Sequence, residues 1–168
     1  LQDRVHRDHI AEVFDFGRWE GRSFEVNEEI DGGTLRDLAG LAADLEGLRS
    51  IVREIASVLE SFRDIGLRHR ALNMNSVRVR SRDPLDLVII DFDAARLSDL
   101  DLDVEPVTTI NVYTAPEAVM GGVTAASDWW GLGMIVLDLV TEGRCFRDVN
   151  AQVFLIHTLS NGAPIPDG

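Results

Sequence analysis

The sequence has little of three things, and each scarcity narrows the reading. Cys145 is the single cysteine, so neither an intrachain disulfide nor a multi-cysteine metal site can form. No apolar stretch runs uninterrupted for the length of a membrane span, and no signal-peptide pattern is visible, so the expected location is the cytoplasm. Positive charge is short: 16 Lys+Arg stand against 29 Asp+Glu, a formal net charge of −13 at pH 7. Sequence-independent nucleic-acid binding needs a basic surface, and an anionic membrane attracts one, so neither is an expected partner. The acidity serves solubility first, and it also suits a basic protein partner. His6, His9 and His157 are dispersed without the paired spacing of metal ligands, so no metal site is expected of them.

What is present is enough for one core. The chain has 168 residues, 45% of them hydrophobic and 27% charged, close to the globular average. It begins at Leu1 without a methionine and stops at "PIPDG", so it is expected to be a piece of something longer. "HIAEVFDFGRWEGRSFEVNEEI" (9–30) reads as two strands about a Gly-containing turn, and "DGGTLRDL" swings the chain toward a short helix with Thr34 as N-cap. Leu45, Leu48, Ile51, Val52, Ile55, Val58, Leu59 and Phe62 follow steps of three and one, the stripe of an amphipathic helix that Gly66 ends. "SVRVR" and "LDLVII" around "SRDP" predict two short strands joined by a tight turn. Residues 95–108 are acidic and aperiodic, hence a loop; 127–140 is nearly all apolar, hence a buried helix starting at Ser127 or Asp128; 148–162 predicts a final amphipathic helix stopped by Gly162.

This order, with the residues at its joints, resembles the protein-kinase family. "HRALNMNSV" is similar to the catalytic-loop pattern H-R-D-L-K-P-x-N, "DFDAAR" to D-F-G, "YTAPE" to A-P-E, and "SDWWGLG" to the D-x-W-x-x-G opening of a large-lobe helix. The resemblance implies an α+β kinase-like fold, mostly the helical large lobe: a remnant of small-lobe strands and hinge over 1–30, and one incomplete large lobe over 31–168. The Gly-rich loop, the lysine-bearing strand and the glutamate-bearing helix of the family would precede Leu1, and its last large-lobe helices would follow Gly168.

Most matching positions are structural in the family. His69 and Phe92 correspond to two stacked residues that link the catalytic loop to D-F-G, with Val13 capping them and Arg70 beside His69. Asp128 corresponds to the carboxylate that accepts from catalytic-loop amides, and Glu117 to the A-P-E glutamate, whose arginine partner would lie past the chain end. Trp130, Gly133, Ile135 and Leu139 read as core.

The chemical positions differ. Ala71 stands where the family has the proton-accepting aspartate, and general-base loss typically costs roughly 10²–10⁴ in rate. Asn73 replaces the charge-stabilising lysine, and Ser76 the magnesium-binding asparagine. Ile110 takes the place of a threonine that would bond the aspartate and the lysine. Asp93 replaces the D-F-G glycine, so that segment is expected to be stiffer or differently folded. Asp91 remains as a metal-ligand position, and with Asp93 it is either a metal pair or a solvent-facing carboxylate pair. Arg78 occupies the floor of the adenine pocket, where it either stacks on a purine or fills the pocket and pairs with a carboxylate. Asn27 guards the back of that pocket and is uninformative.

The implied function is a catalytically inactive protein-kinase-like scaffold, binding or regulating a protein through the acidic loop 97–105 and the helix at 148–160, with neither ATP nor Mg²⁺ as cofactor. Two alternatives stand beside it. One is a weakly active or atypical Ser/Thr kinase using Asp91 for metal and a small lobe supplied upstream. The other is a structural linker of a larger multidomain protein.

Overall fold

Glu20 and Gly21 both take left-handed backbone, at φ 48° and 79°, the pair of conformations that a tight two-residue hairpin turn requires. They join β1 (Val13–Trp19) to β2 (Arg22–Asn27) in an antiparallel ribbon. The ribbon is lightly covered: Phe14, Phe16 and Trp19 are 63%, 78% and 72% exposed. The computed structural model describes residues 9–98, 102–104 and 109–162. Its contacts divide the chain into two units, each assembled from two stretches: Leu1–Ile65 with Met74–Asp91, and Gly66–Asn73 with Phe92–Gly168.

In the first unit the chain leaves β2 through Gly32 and Gly33 and is caught at Thr34. The Thr34 Oγ1 accepts from the Arg36 amide at 3.3 Å, and Asp37 Oδ2 accepts from the Thr34 amide at 2.7 Å, a reciprocal N-cap. A short α1 (Ala39–Ala42) leads to α2 (Leu45–Asp64), whose first turn is capped by Asp44 Oδ1 accepting from the Gly47 amide at 2.8 Å. Of its predicted stripe, Ile51, Ile55, Val58, Leu59 and Phe62 are buried, Leu48 and Val52 are half-buried, and Leu45 in the first turn is exposed. That face packs on β5 (Leu85–Ile89), which pairs antiparallel with β4 (Val77–Arg82). Val77, Val79, Leu87, Val88 and Ile89 complete the core.

Arg80 ties this unit together. Its Nε and Nη2 donate to the two Glu28 carboxylate oxygens at 2.8 Å each, its Nη1 to Asp86 at 3.3 Å, and Nη2 also to the Ile10 carbonyl at 3.2 Å. A fork-to-fork pair of this kind is the strong form of ion pair. Bonding to Arg80 holds the Glu28 pKa below its ordinary 4.5, against the opposing effect of burial. Because the folded value is the lower one, this stabilisation is complete above pH 4.5 and is lost as pH falls through the folded pKa. Arg80→Ala is therefore expected to cost about 2–3 kcal/mol at neutral pH. In urea unfolding, the gap between variant and parent should close as the pH falls below the ordinary 4.5 and through the lower folded value; a constant gap would remove Glu28 from the account.

In the second unit Gly66, at φ 70°, turns the chain out of the helix as expected, and the Ser98 carbonyl lies 2.5 Å from where a Cβ would be. β3 (Leu67–Arg68) then pairs with β6 (Arg96–Leu97), and β7 (Leu102–Val104) with β8 (Gly122–Thr124). The stretch expected as one loop over 95–108 thus contains two short strands; Asp99, Asp101 and Glu105 lie outside the described residues. α3 (Ala125–Val140) begins earlier than Ser127. Thr124 caps it, Oγ1 accepting from the Ala126 amide at 3.1 Å, and Ser127 is the reciprocal partner, Oγ accepting from the Thr124 amide at 3.1 Å. Ile135 and Leu139 are buried and Trp130 half-buried, but Gly133 is exposed, and a Cβ added there would meet nothing within 4 Å. The close approach belongs to Gly131, whose Cβ would lie 3.2 Å from both Cβ and carbonyl oxygen of Leu72. α4 (Ala151–Asn161) follows, capped by Asn150. The architecture is mixed α+β, and no helix among the described residues is long and apolar enough to cross a membrane.

Candidate functional site

The candidate residues are divided between the two units, and each group is built by its own unit. In the second unit, β3 delivers the loop 69–73 to the first turn of α3. Asp128 Oδ2 accepts from the His69 amide and Oδ1 from the Arg70 amide, both at 2.8 Å. One carboxylate thereby satisfies two consecutive backbone donors that have left β3, next to a fully buried His69 side chain. Burial pushes the Asp128 pKa up, against the pull of His69, the two amides and Arg68. Arg70 needs this clasp, since it is held at φ 68°, a left-handed state that non-glycine residues adopt only under constraint.

The His69 and Phe92 rings meet edge to face, centroids 5.0 Å apart at 72°. Phe92 opens a 3₁₀ turn through Ala94, closed by the Ala95 amide donating to the Phe92 carbonyl at 2.9 Å, and Arg70 Nη1 reaches the Ala94 carbonyl at 3.4 Å. Asp93 sits inside this turn without left-handed backbone, so the loss of glycine there costs no strain. The left-handed residue is Asp91, at φ 65°. Both carboxylates are exposed.

Ala71 presents a half-buried methyl group. Asn73 Nδ2 donates to the Ala71 carbonyl at 2.7 Å, which turns the amide back onto the loop. In the first unit Ser76 is fully buried, its carbonyl accepting from the Ile90 amide at 2.9 Å. Mg²⁺ asks for near-octahedral oxygen ligation, and here the donors are one exposed carboxylate, Asp91, and one buried hydroxyl; the residues present fit that ion poorly. Among the described residues no group of three or more His, Cys, Asp or Glu is placed to hold a metal. The chain also contains no lysine: all 16 basic residues are arginine. Arg78 is half-buried on β4, its backbone bridged to Thr34. No hydrogen bond or ion pair reaches its guanidinium among the described residues, so it does not make the carboxylate pair that was one of its two expected roles.

A second cluster of the same unit as the loop starts from Tyr113, the first residue of "YTAPE", but its other members, Asp138, Phe146 and Phe154, lie outside the motifs of the sequence. Tyr113 Oη donates to Asp138 Oδ2 at 2.5 Å, with Asp138 2% exposed on α3. Tyr113 stands 5.8 Å from Phe146, which meets Phe154 of α4 edge to face at 5.6 Å. The available signal was a single carboxylate inside the apolar run "MIVLDLV", since a buried charge demands a donor. Glu117 accepts from Ser127 Oγ at 2.6 Å. Cys145 is half-buried, and burial raises its pKa, so it is held as a thiol. Val13 is half-buried, and Asn27, Ile110 and His157 are exposed. His6 lies outside the described residues.

Comparison with known proteins agrees with this geometry. The family model described as protein kinase domain matches residues 1–162. The chain is 29% identical over 168 residues to the serine/threonine-protein kinase PknD of Mycobacterium tuberculosis, covering 97% of this chain and 25% of that protein. It is 30% identical over 161 residues to the "probable serine/threonine-protein kinase PknB" of Lactococcus lactis, covering 93% and 25%. A more distant relative is the yeast serine/threonine-protein kinase RAD53, 25% identical over 134 residues, covering 70% and 16%. The chain thus spans about a quarter of the length of its first bacterial relatives. On the matched length and on the arrangement of its loop, the chain belongs to the protein kinase domain family.

Proposed function

We propose that this kinase-family domain transfers no phosphate and works as a protein-binding, regulatory module. The observation that carries the reading is the catalytic loop itself: Ala71 can take no proton, and the Asn73 amide at the charge-stabilising position is bonded to the loop's own backbone at 2.7 Å. These 168 residues contain no lysine of their own to substitute. The scaffold around the loop, from the Asp128 clasp to the His69–Phe92 contact, does not depend on chemistry and is what a binding module needs. A net charge of −13 favours a basic protein partner, in the cytoplasm, and no cofactor is required. The surface we assign to that partner includes α4, where Val153, Ile156 and Leu159 are exposed.

A specific observation favours a second reading, residual phosphoryl transfer with Asp91 as metal ligand and a small lobe supplied from upstream. Asp91 keeps a left-handed backbone that costs of order 1–3 kcal/mol, and such strain clusters at working sites. One assay separates the two. With labelled ATP, Mg²⁺ and a generic protein substrate, the expected transfer is no greater than that of Asp91→Asn, and Ala71→Asp alone creates none, because Asn73 and Ser76 stay as they are. Transfer by the parent protein that stops in Asp91→Asn would establish the second reading.

A further inference from the structure

β4 carries three arginines, and two of them have their partners. Arg80 is held by Glu28, Asp86 and the Ile10 carbonyl. Arg82 donates from Nη1 to the Asp37 carbonyl at 3.1 Å and from Nη2 to the Gly32 carbonyl at 3.4 Å. Arg78 is half-buried on the same strand, and among the described residues nothing accepts from it.

The packing gives no reason for a charge at that position. Val88 lies opposite Arg78 in the β4–β5 ladder, and Val77 and Val79 on either side are fully buried, so an apolar residue would serve the strand as well. No side chain of the segment bridged to Arg78 accepts a hydrogen bond from it. That segment is Gly32–Gly33–Thr34, fixed by the Thr34–Arg78 bridge and by the Val79 amide donating to the Gly33 carbonyl at 3.0 Å. The two glycines have no side chain, and the Thr34 hydroxyl is already bonded to the Arg36 amide and to Asp37. A guanidinium is permanently charged and presents a flat fork of donors that matches a carboxylate or phosphate. Deprived of water and of an acceptor it is strongly disfavoured, so it keeps a solvated side, and that water is what an oxyanion displaces. In a chain of net charge −13 the free fork is also a local exception to a field that repels anions.

We propose that Arg78, on the face of β4 bridged to Gly32–Gly33–Thr34, is the anchor of a site for a small oxyanion, a phosphate or a carboxylate, bound without a metal ion. This site goes beyond the reading of the domain as inactive and does not depend on it, since no bond is made or broken.

The test is a set of thermal melts and calorimetric titrations of the protein, freed of divalent metal on a chelating resin, with tripolyphosphate, ATP or citrate, against KCl at matched ionic strength. At least one of the three is expected to bind saturably and raise the melting temperature by several degrees. Tripolyphosphate without citrate would identify phosphate, citrate without tripolyphosphate a carboxylate, and ATP alone a phosphate held together with its base. Arg78→Leu is expected to fold at least as well and to lose the response, and Arg78→Lys to weaken it by keeping charge without the fork. The proposal is overturned if no anion exceeds the KCl control, if binding appears only with Mg²⁺, or if Arg78→Leu responds like the parent. Phosphate transfer is read in a separate assay, so the two readings fail independently.

Discussion

Asp128→Ala is expected to cost about 3–5 kcal/mol, enough to unfold the second unit near physiological temperature. Its two carboxylate oxygens are the acceptors for the His69 and Arg70 amides, 59 and 58 residues away in sequence. Each buried donor left without an acceptor costs about 1–3 kcal/mol, and the bonds lost are charge-assisted. Some is returned, because burial raises the pKa of Asp128 and the carboxylate is itself expensive to desolvate. The net loss stays large because a methyl group satisfies neither amide, and Arg70 loses what holds it at φ 68°. Asp128→Asn keeps one good acceptor and should lose roughly half as much. Urea titrations followed by circular dichroism measure both; an Ala variant within about 1 kcal/mol of the parent would mean the loop is held by something else.

Gly32→Ala is expected to be nearly as damaging, about 2–3 kcal/mol, by a different route. A Cβ at Gly32 would fall on the Val79 carbonyl oxygen, closer than the 3.0 Å that real Cβ atoms respect. The obstacle is backbone in a buried strand, so relief requires parting the Gly32–Thr34 segment from β4. That motion breaks the Val79–Gly33 hydrogen bond and the Thr34–Arg78 bridge together. Gly133→Ala is the internal control: a Cβ there meets nothing within 4 Å, and glycine inside a helix is worse than alanine by roughly 0.5–1 kcal/mol, so this variant should gain stability. Thermal melts of the pair give opposite signs if close approach, rather than glycine content, sets the outcome.

The two outcomes for glycine show where sequence reading stops. α2 is legible because its apolar steps of three and one repeat along the helix and because burial follows the same period. α3 is legible as a buried helix but not in its start: Thr124 competes with Ser127 and Asp128 for the cap, and what decides is that Asp128 is needed by a loop far away in sequence. "WWGLG" offers two glycines, and motif spacing points to Gly133, whereas the backbone contact with Leu72 is made by Gly131. The Glu28–Arg80 pair spans 52 residues and leaves no local trace. Among the candidate residues, identities such as Ala71 and Asn73 are readable directly, since what a side chain cannot do is intrinsic to it. That Arg78 goes without an acceptor among the described residues, and that Asp138 pairs with Tyr113, is not readable, because pairing is decided by tertiary placement.

The interleaving of the two units has a consequence for synthesis. Neither unit is a continuous stretch: the first is closed by Met74–Asp91 and the second resumes only at Phe92. α2 ends at Asp64, but the strand its apolar face packs on, β5, starts at Leu85. At an elongation rate of roughly 5–20 residues per second, that helix emerges about one to a few seconds before its cover. For that interval Ile51, Ile55 and Phe62, all but sealed in the finished unit, are open to solvent and to any chaperone that reads apolar surface. A cluster of slow codons between α2 and β5 would lengthen the exposure, and one placed after Asp91 would instead give the first unit time to close.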